Sequence, residues 1–175
     1  MMTVENIRSQ DIRITKEPIV YYWWFKTACF DQLLKLLNTE IDFKRILIRE
    51  INGETYGLLY IGKAKKGHDR LVKYHIHDSQ NFHTTGVQNG RLSSLRQTLC
   101  GLLNYTMSTS KDEINNFMDN YCIVEFETCS LQELDIVERE KIITNYLPLN
   151  YQNTKNILTS EHRKILCECK RSMRQ

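Results

Sequence analysis

Two β-rich runs, residues 46–51 and 55–61, meet across Asn52-Gly53. A tight hairpin turn needs positive φ at both central residues, and Asn-Gly supplies that at low steric cost. The pair therefore predicts a β-hairpin, which commits this part of the chain to antiparallel pairing. The second run ends at Gly62. Two more stretches read as strands. Residues 19–25 (IVYYWWF) are aromatic and β-branched and follow Pro18, and residues 121–128 alternate.

Helical patterns lie between and after these strands. Residues 30–37 suit a short helix, and residues 69–77 can form one. Leu92, Leu95, Leu99, Leu102 and Leu103 give residues 91–105 an apolar face. Ser110 with Glu113 and Ser130 with Glu133 resemble capping boxes, opening helices through Met118 and to about Tyr146. Pro148 then blocks further helix, and residues 159–173 predict a terminal one. Residues 79–90, rich in Asn, Gln, Thr and Gly, read as a surface loop. The expectation is an α+β fold: a small, mostly antiparallel sheet flanked by helices, with an added hairpin strand and a C-terminal helix. The 175 residues divide into an N-terminal extension (1–17), one domain (18–155) and a basic helical tail (156–175).

A charged fraction of 26% and a hydrophobic fraction of 41% fit a folded, water-soluble chain. No apolar run approaches the roughly 20 residues needed to span a bilayer. The first 17 residues lack a signal-peptide core, so the expected location is the cytoplasm, without membrane partners. The six cysteines form no C-x-x-C pair, and free thiols are the default. Cys167, Cys169 and His162 could be imagined as a zinc site, but their spacing matches no common ligand pattern. Net charge is only +3, yet the basic residues cluster. Lys63, Lys65, Lys66, Arg70 and Lys73 stand against the single acid Asp69, and Arg163, Lys164, Lys170, Arg171 and Arg174 crowd the tail. Such patches can neutralise phosphates, although a solvated face explains either one alone.

Glu138 poses a sharper problem. Leu134 and Ile142, four residues to either side, share its helix face, so its carboxylate interrupts an apolar stripe. A carboxylate turned toward the domain is costly without a partner. It must meet a protein cation, such as Arg70, or help bind a metal ion. Tyr21 among strand aromatics, Tyr60-Ile61-Gly62 at the hairpin end, and Arg70 in a basic segment are each bland in isolation.

Taken in order, these features resemble the GIY-YIG nuclease superfamily. Ile19-Val20-Tyr21 stands where that family has Gly-Ile-Tyr, and Tyr60-Ile61-Gly62 follows. Arg70, then Tyr74-His75, Glu138 and Asn150 complete the order. The chain is also similar to a bacterial subgroup of GIY-YIG domain proteins through residues 18–25, 58–62, 93–101 and 147–153. The main departure is Ile19 in place of the first glycine.

The resemblance implies a nuclease that hydrolyses phosphodiester bonds in DNA by a single-metal mechanism. Tyr21, Tyr60, Arg70 and Glu138 would be catalytic, with Glu138 the protein ligand to Mg²⁺ or Mn²⁺. Mg²⁺ commonly takes one or two carboxylates and keeps several waters. Arg70 would clamp a phosphate oxygen, and Tyr21 would act as general base or orient the attacking water. A phenol near its ordinary value of about 10 is a poor base at neutral pH. Lys63 or Arg70 would have to lower it. Tyr74, His75 and Asn150 would support the site, and Lys65, Lys66, Lys73, Arg91 and Arg96 would contact the nucleic acid. Arg96 has a second reading as an internal ion pair. The alternative for the whole chain is a nucleic-acid-binding module on the same fold that cleaves weakly or not at all.

Overall fold

The computed structural model describes residues 1–10, 12, 14–78 and 93–172. The predicted hairpin is present: β3 (Ile48–Ile51) pairs with β4 (Glu54–Ala64), Ile51 opposite Glu54. Asn52 and Gly53 take φ of 52° and 79°, the mirror-image turn this dipeptide favours. The sheet has five strands in the order β1-β5-β2-β4-β3, every pair antiparallel. Its centre is β2 (Ile19–Lys26), flanked by β4 and β5 (Cys122–Thr128). The N-terminal segment is built into this frame. β1 (Met2–Thr3) adds an edge strand on β5, and Val4 and Ile7 of α1 (Val4–Ser9) are fully buried.

Both faces of β2 are covered, which is why its sequence reads as an unbroken apolar run. Tyr21, Trp23 and Phe25 face one cluster, which includes residues of α2 (Phe30–Leu33), α4 (Ser94–Leu102) and α5 (Lys111–Tyr121). Val20 and Trp24 face the other, where Leu134 and Ile142 of α6 (Leu134–Ile143) pack with Leu147. The C-terminal helix α7 (Ser160–Ser172) buries Leu166 and Cys169. Its backbone passes so close to α4 that a Cβ on Gly101 would stand 2.3 Å from the Cys169 carbonyl oxygen.

A bulge decides where the second tyrosine points. Trp23 opposes Tyr60 but Trp24 opposes Leu58, so Leu59 is one residue extra on β4. In an uninterrupted strand Tyr60 would share the face of Tyr56 and Leu58, which pack toward α6. The extra residue reverses the alternation, and Leu59 and Tyr60 both join the cluster that holds Tyr21.

The expected helix ends shift in places. Ser93 caps α4, accepting from the Arg96 N–H at 3.1 Å. Ser130 accepts from the Glu133 N–H at 3.2 Å, and the helix proper begins at Leu134. Ser110 makes no capping bond with its side chain. Residues 69–77 do coil, but widely: His68–Ile76, here α3, is a π-helix, with the His77 N–H bonded five residues back to the Val72 carbonyl. The predicted loop at 79–90 lies outside the described residues, as does Arg91. Among the described residues, no helix is long and apolar enough to cross a membrane.

Candidate active site

Tyr21 lies opposite Gly62 on β4, and its ring lies across that glycine. A Cβ on Gly62 would stand 2.6 Å from the Tyr21 hydroxyl oxygen, so only glycine leaves room for the phenol. Tyr60, on the same face, hydrogen-bonds Ser94 Oγ at 2.8 Å from the first turn of α4. Ile19, in the place of the family's first glycine, is buried and packs where Gly67 has no side chain. A Cβ on Gly67 would lie 2.9 Å from Ile19 Cδ1. The larger residue is thus accommodated by a glycine on the facing segment, and Tyr21 keeps its place beside Gly62.

The wide turn of α3 selects which of its residues reach the phenols. In an α-helix the partner of Arg70 would be Tyr74, one turn on. In the wider coil a turn takes an extra residue, and it is His75 that is fully buried against Tyr21. His75 Nε2 lies 2.7 Å from the Tyr21 hydroxyl and Nδ1 2.5 Å from Ser93 Oγ. Burial first, then the nearby Arg70 and Arg96 charges, hold the imidazole well below its ordinary pKa, so it is neutral. Tyr74 is half-buried.

Burial pushes the Tyr21 pKa far upward, and the neighbouring Tyr60 adds to this. Arg70 pulls the other way and loses. The expectation that a cation brings this phenol into the neutral range is therefore corrected. Lys63 turns to other partners, and the burial cost exceeds what Arg70 returns. Tyr60 is likewise raised by burial, against the Ser94 hydrogen bond and Arg70.

Glu138 meets a cation, as its place in an apolar stripe required, but the cation is Lys63 and not Arg70. Lys63 Nζ lies 2.5 Å from Glu138 Oε2 and 2.9 Å from Asp135 Oδ1. Burial lowers the ammonium pKa, yet the two carboxylates outweigh it and the net shift is upward. Glu138 retains 14% side-chain exposure, and its charge bears on both Tyr21 and Tyr60. It is not sealed from solvent. Asp135, which the sequence alone did not single out, shares Lys63 with Glu138. Its signal was its position three residues before Glu138 on one helix face.

β3 ends at β4 residue Gly57, leaving the outer edge of β4 beyond it without a strand partner among the described residues. The chain after α6 takes that edge. The Leu149 N–H bonds the Leu59 carbonyl at 3.1 Å. The Asn150 side chain accepts from the Ile61 N–H at 2.9 Å and donates to the Ile61 carbonyl at 2.8 Å. Asn150 thus fixes the Tyr60-Ile61-Gly62 backbone.

The expected nucleic-acid contacts divide. Lys65, Lys66 and Lys73 are exposed, Lys73 paired with Asp69 at 2.7 Å. Arg96 is 1% exposed and turned inward, toward Asp78 at 3.4 Å, the His75 carbonyl and Asn115. That burial removes it from any phosphate surface and leaves it the internal ion pair of its second reading. His162 spends Nε2 on the Pro148 carbonyl at 2.8 Å. Among the described residues, no group of three or more His, Cys, Asp or Glu side chains gathers to hold a metal. Cys167 and Cys169 are free thiols.

Two phenols and a buried imidazole thus gather on one face of the sheet beside Gly62, and Glu138 is tied to the next residue of the same strand, Lys63. No curated protein and no solved structure shows a match to this chain. A family model described as the GIY-YIG catalytic domain matches residues 19–172, from the first residue of β2 to the last of α7. The tyrosines, Arg70, Glu138 and Asn150 all fall within that span, and the chain belongs to the GIY-YIG nuclease family.

Proposed function

We propose that this protein hydrolyses phosphodiester bonds in DNA, using Glu138 to hold one hydrated Mg²⁺ or Mn²⁺. The observation that carries the reading is that Tyr21 lies across Gly62, Tyr60 shares its face of the sheet, and Glu138 pairs with Lys63, the residue after Gly62 on the same strand. The donor set fits a hard divalent ion. Glu138 is a single carboxylate, partly open to water, on which a cation already sits in the form of the Lys63 ammonium. A Mg²⁺ with one protein carboxylate and a shell of waters needs no larger cluster. When bound, such an ion supplies Lewis-acid stabilisation of charge on the phosphate and on the leaving 3′ oxygen.

The chain's own groups account for the rest. Arg70, whose charge bears on both phenols, offers a planar fork to a non-bridging phosphate oxygen. Tyr21 positions the attacking water through its hydroxyl oxygen. With His75 Nδ1–H donating to Ser93, Nε2 accepts a hydrogen bond from the Tyr21 hydroxyl and leaves the phenol oxygen free to accept from the water. His75 stays neutral, because burial and the Arg70 and Arg96 charges disfavour an imidazolium, and the water's proton passes to solvent. The water oxygen forms the new bond to phosphorus, the bond to the 3′ oxygen breaks, and solvent protonates that oxygen. Tyr60, held by Ser94, keeps the phosphate in line. Asp135 would remain as the partner of Lys63 if Glu138 held a metal.

The test is incubation of the purified protein with supercoiled plasmid, single-stranded DNA and RNA, in Mg²⁺, in Mn²⁺ and in EDTA. The expected result is nicked DNA in either metal, none in EDTA, and little with Tyr21→Phe. Failure to cut any substrate in either metal would leave the binding-module reading in its place.

A further inference from the structure

A second surface, lined in part by the residues that follow Glu138 and Asn150 in sequence, is not used by the chemistry. A cavity of about 810 Å³ opens between α6, the loop after Asn150 and α7. Arg139 lines it from α6, Tyr151 and Lys155 from the loop, and Arg163 from α7. No carboxylate lines it, and among the described residues none of these three cations is in a salt bridge. Tyr151 is 37% exposed, with the Arg163 guanidinium 4.8 Å from its ring centre and Lys170 Nζ at 5.6 Å. Arg163 Nε is buried and has no hydrogen-bond acceptor, a donor costly to leave unmet.

We infer that this groove holds a single nucleic-acid strand on its way out of the active site. Phosphates would lie on Arg139, Lys155 and Arg163, with a base against Tyr151. The inference rests on the nuclease reading above. Continuity with that site favours a nucleic acid over an acidic protein. Arg139 follows Glu138 directly, about 100° round the same helix. Tyr151 follows Asn150, the residue that fixes Ile61. A cationic groove with an exposed aromatic ring is the arrangement that binds single strands, the charges following the backbone and the ring taking a base. Amides of Gln152 and Asn156 in the wall add donors and acceptors for sugar and base edges.

The experiment measures fluorescence anisotropy of a labelled single-stranded oligodeoxynucleotide in EDTA, across a salt series. The full-length protein is compared with the double variant Arg139→Gln, Lys155→Gln, both at exposed positions, and with Tyr151→Leu. The double variant should bind at least about tenfold more weakly. Its slope of log K against log salt should fall by roughly 1.4, about 0.7 for each single-strand phosphate that is no longer neutralised. Tyr151→Leu should weaken binding about tenfold with its salt slope unchanged. Wild-type affinity and slope in the double variant would overturn the inference, as would failure of the wild type to bind the strand. Polyglutamate displacing the strand at equal charge would overturn it in favour of an acidic protein partner. Cleavage is scored separately with Mg²⁺. A protein that binds through the groove but never cuts refutes the nuclease reading alone, and one that cuts equally well with either groove variant and binds unchanged refutes the groove alone.

Discussion

At Gly62 the missing side chain is what the site needs, because a Cβ would press 2.6 Å from the Tyr21 hydroxyl and 2.7 Å from its ring. Gly62→Ala should therefore fold but shift the phenol. A misplacement of that order costs roughly 100-fold in rate, to be read as cleavage under saturating metal, with the melting temperature as control. Wild-type activity in that variant would separate Tyr21 from the reaction. His75 makes a second prediction, through pH. Its folded pKa is depressed by burial, so the unfolded chain binds the extra proton first as pH falls. Stability should be fully retained above the unfolded value of about 6.5 and fall below it, by at most about 1.4 kcal/mol per pH unit. His75→Gln should remove that part of the slope in urea titrations between pH 7 and 5. An unchanged slope would mean that His75 takes up its proton equally in the folded and the unfolded chain.

Among the elements, α3 and α4 are tied by a buried arginine. Arg96 reaches Asp78 and the carbonyl of His75, and burial lowers its pKa against the pull of Asp78. Replacing it with Met leaves Asp78 without its partner, and breaking a buried pair this way costs about 3–5 kcal/mol. Arg96→Met should thus show its loss in chemical denaturation, while the salt slope of nucleic-acid binding stays at the wild-type value. A stable variant with a reduced slope would restore Arg96 to the phosphate surface. This residue marks a limit of reading from sequence. From sequence its surface reading and its ion-pair reading could not be separated, because its partners Asp78 and Asn115 come from separate segments. The β4 bulge was equally hidden, since nothing around Leu59 departs from a regular strand. The choice of His75 over Tyr74 also turned on helix pitch, which local composition does not specify. By contrast, the hairpin was legible in Asn52-Gly53. The inward carboxylate was legible in the Leu134, Glu138, Ile142 spacing, though its partner Lys63 was not.

For the molecule as a whole, the sheet works as a fixed frame that gathers distant residues around the end of one strand, β4. β2 brings Tyr21, the bulged β4 brings Tyr60 and Lys63, α3 leans Arg70 and His75 in, and α6 approaches from the other face with Glu138. Asn150 closes the strand edge that β3 leaves open. The first ten residues and the last helix, set apart in the sequence by composition, are packed into the same body through Val4, Ile7 and Leu166. The most direct measurement of the central claim is the single-turnover rate of DNA cleavage in Mg²⁺ by Glu138→Ala beside the wild type. Lys63 keeps Asp135 as a partner at 2.9 Å, so the variant should remain folded. Loss of the metal's carboxylate should lower the rate about a thousandfold, equivalent to roughly 4 kcal/mol of transition-state stabilisation. Cleavage by the folded variant at the wild-type rate would contradict the account.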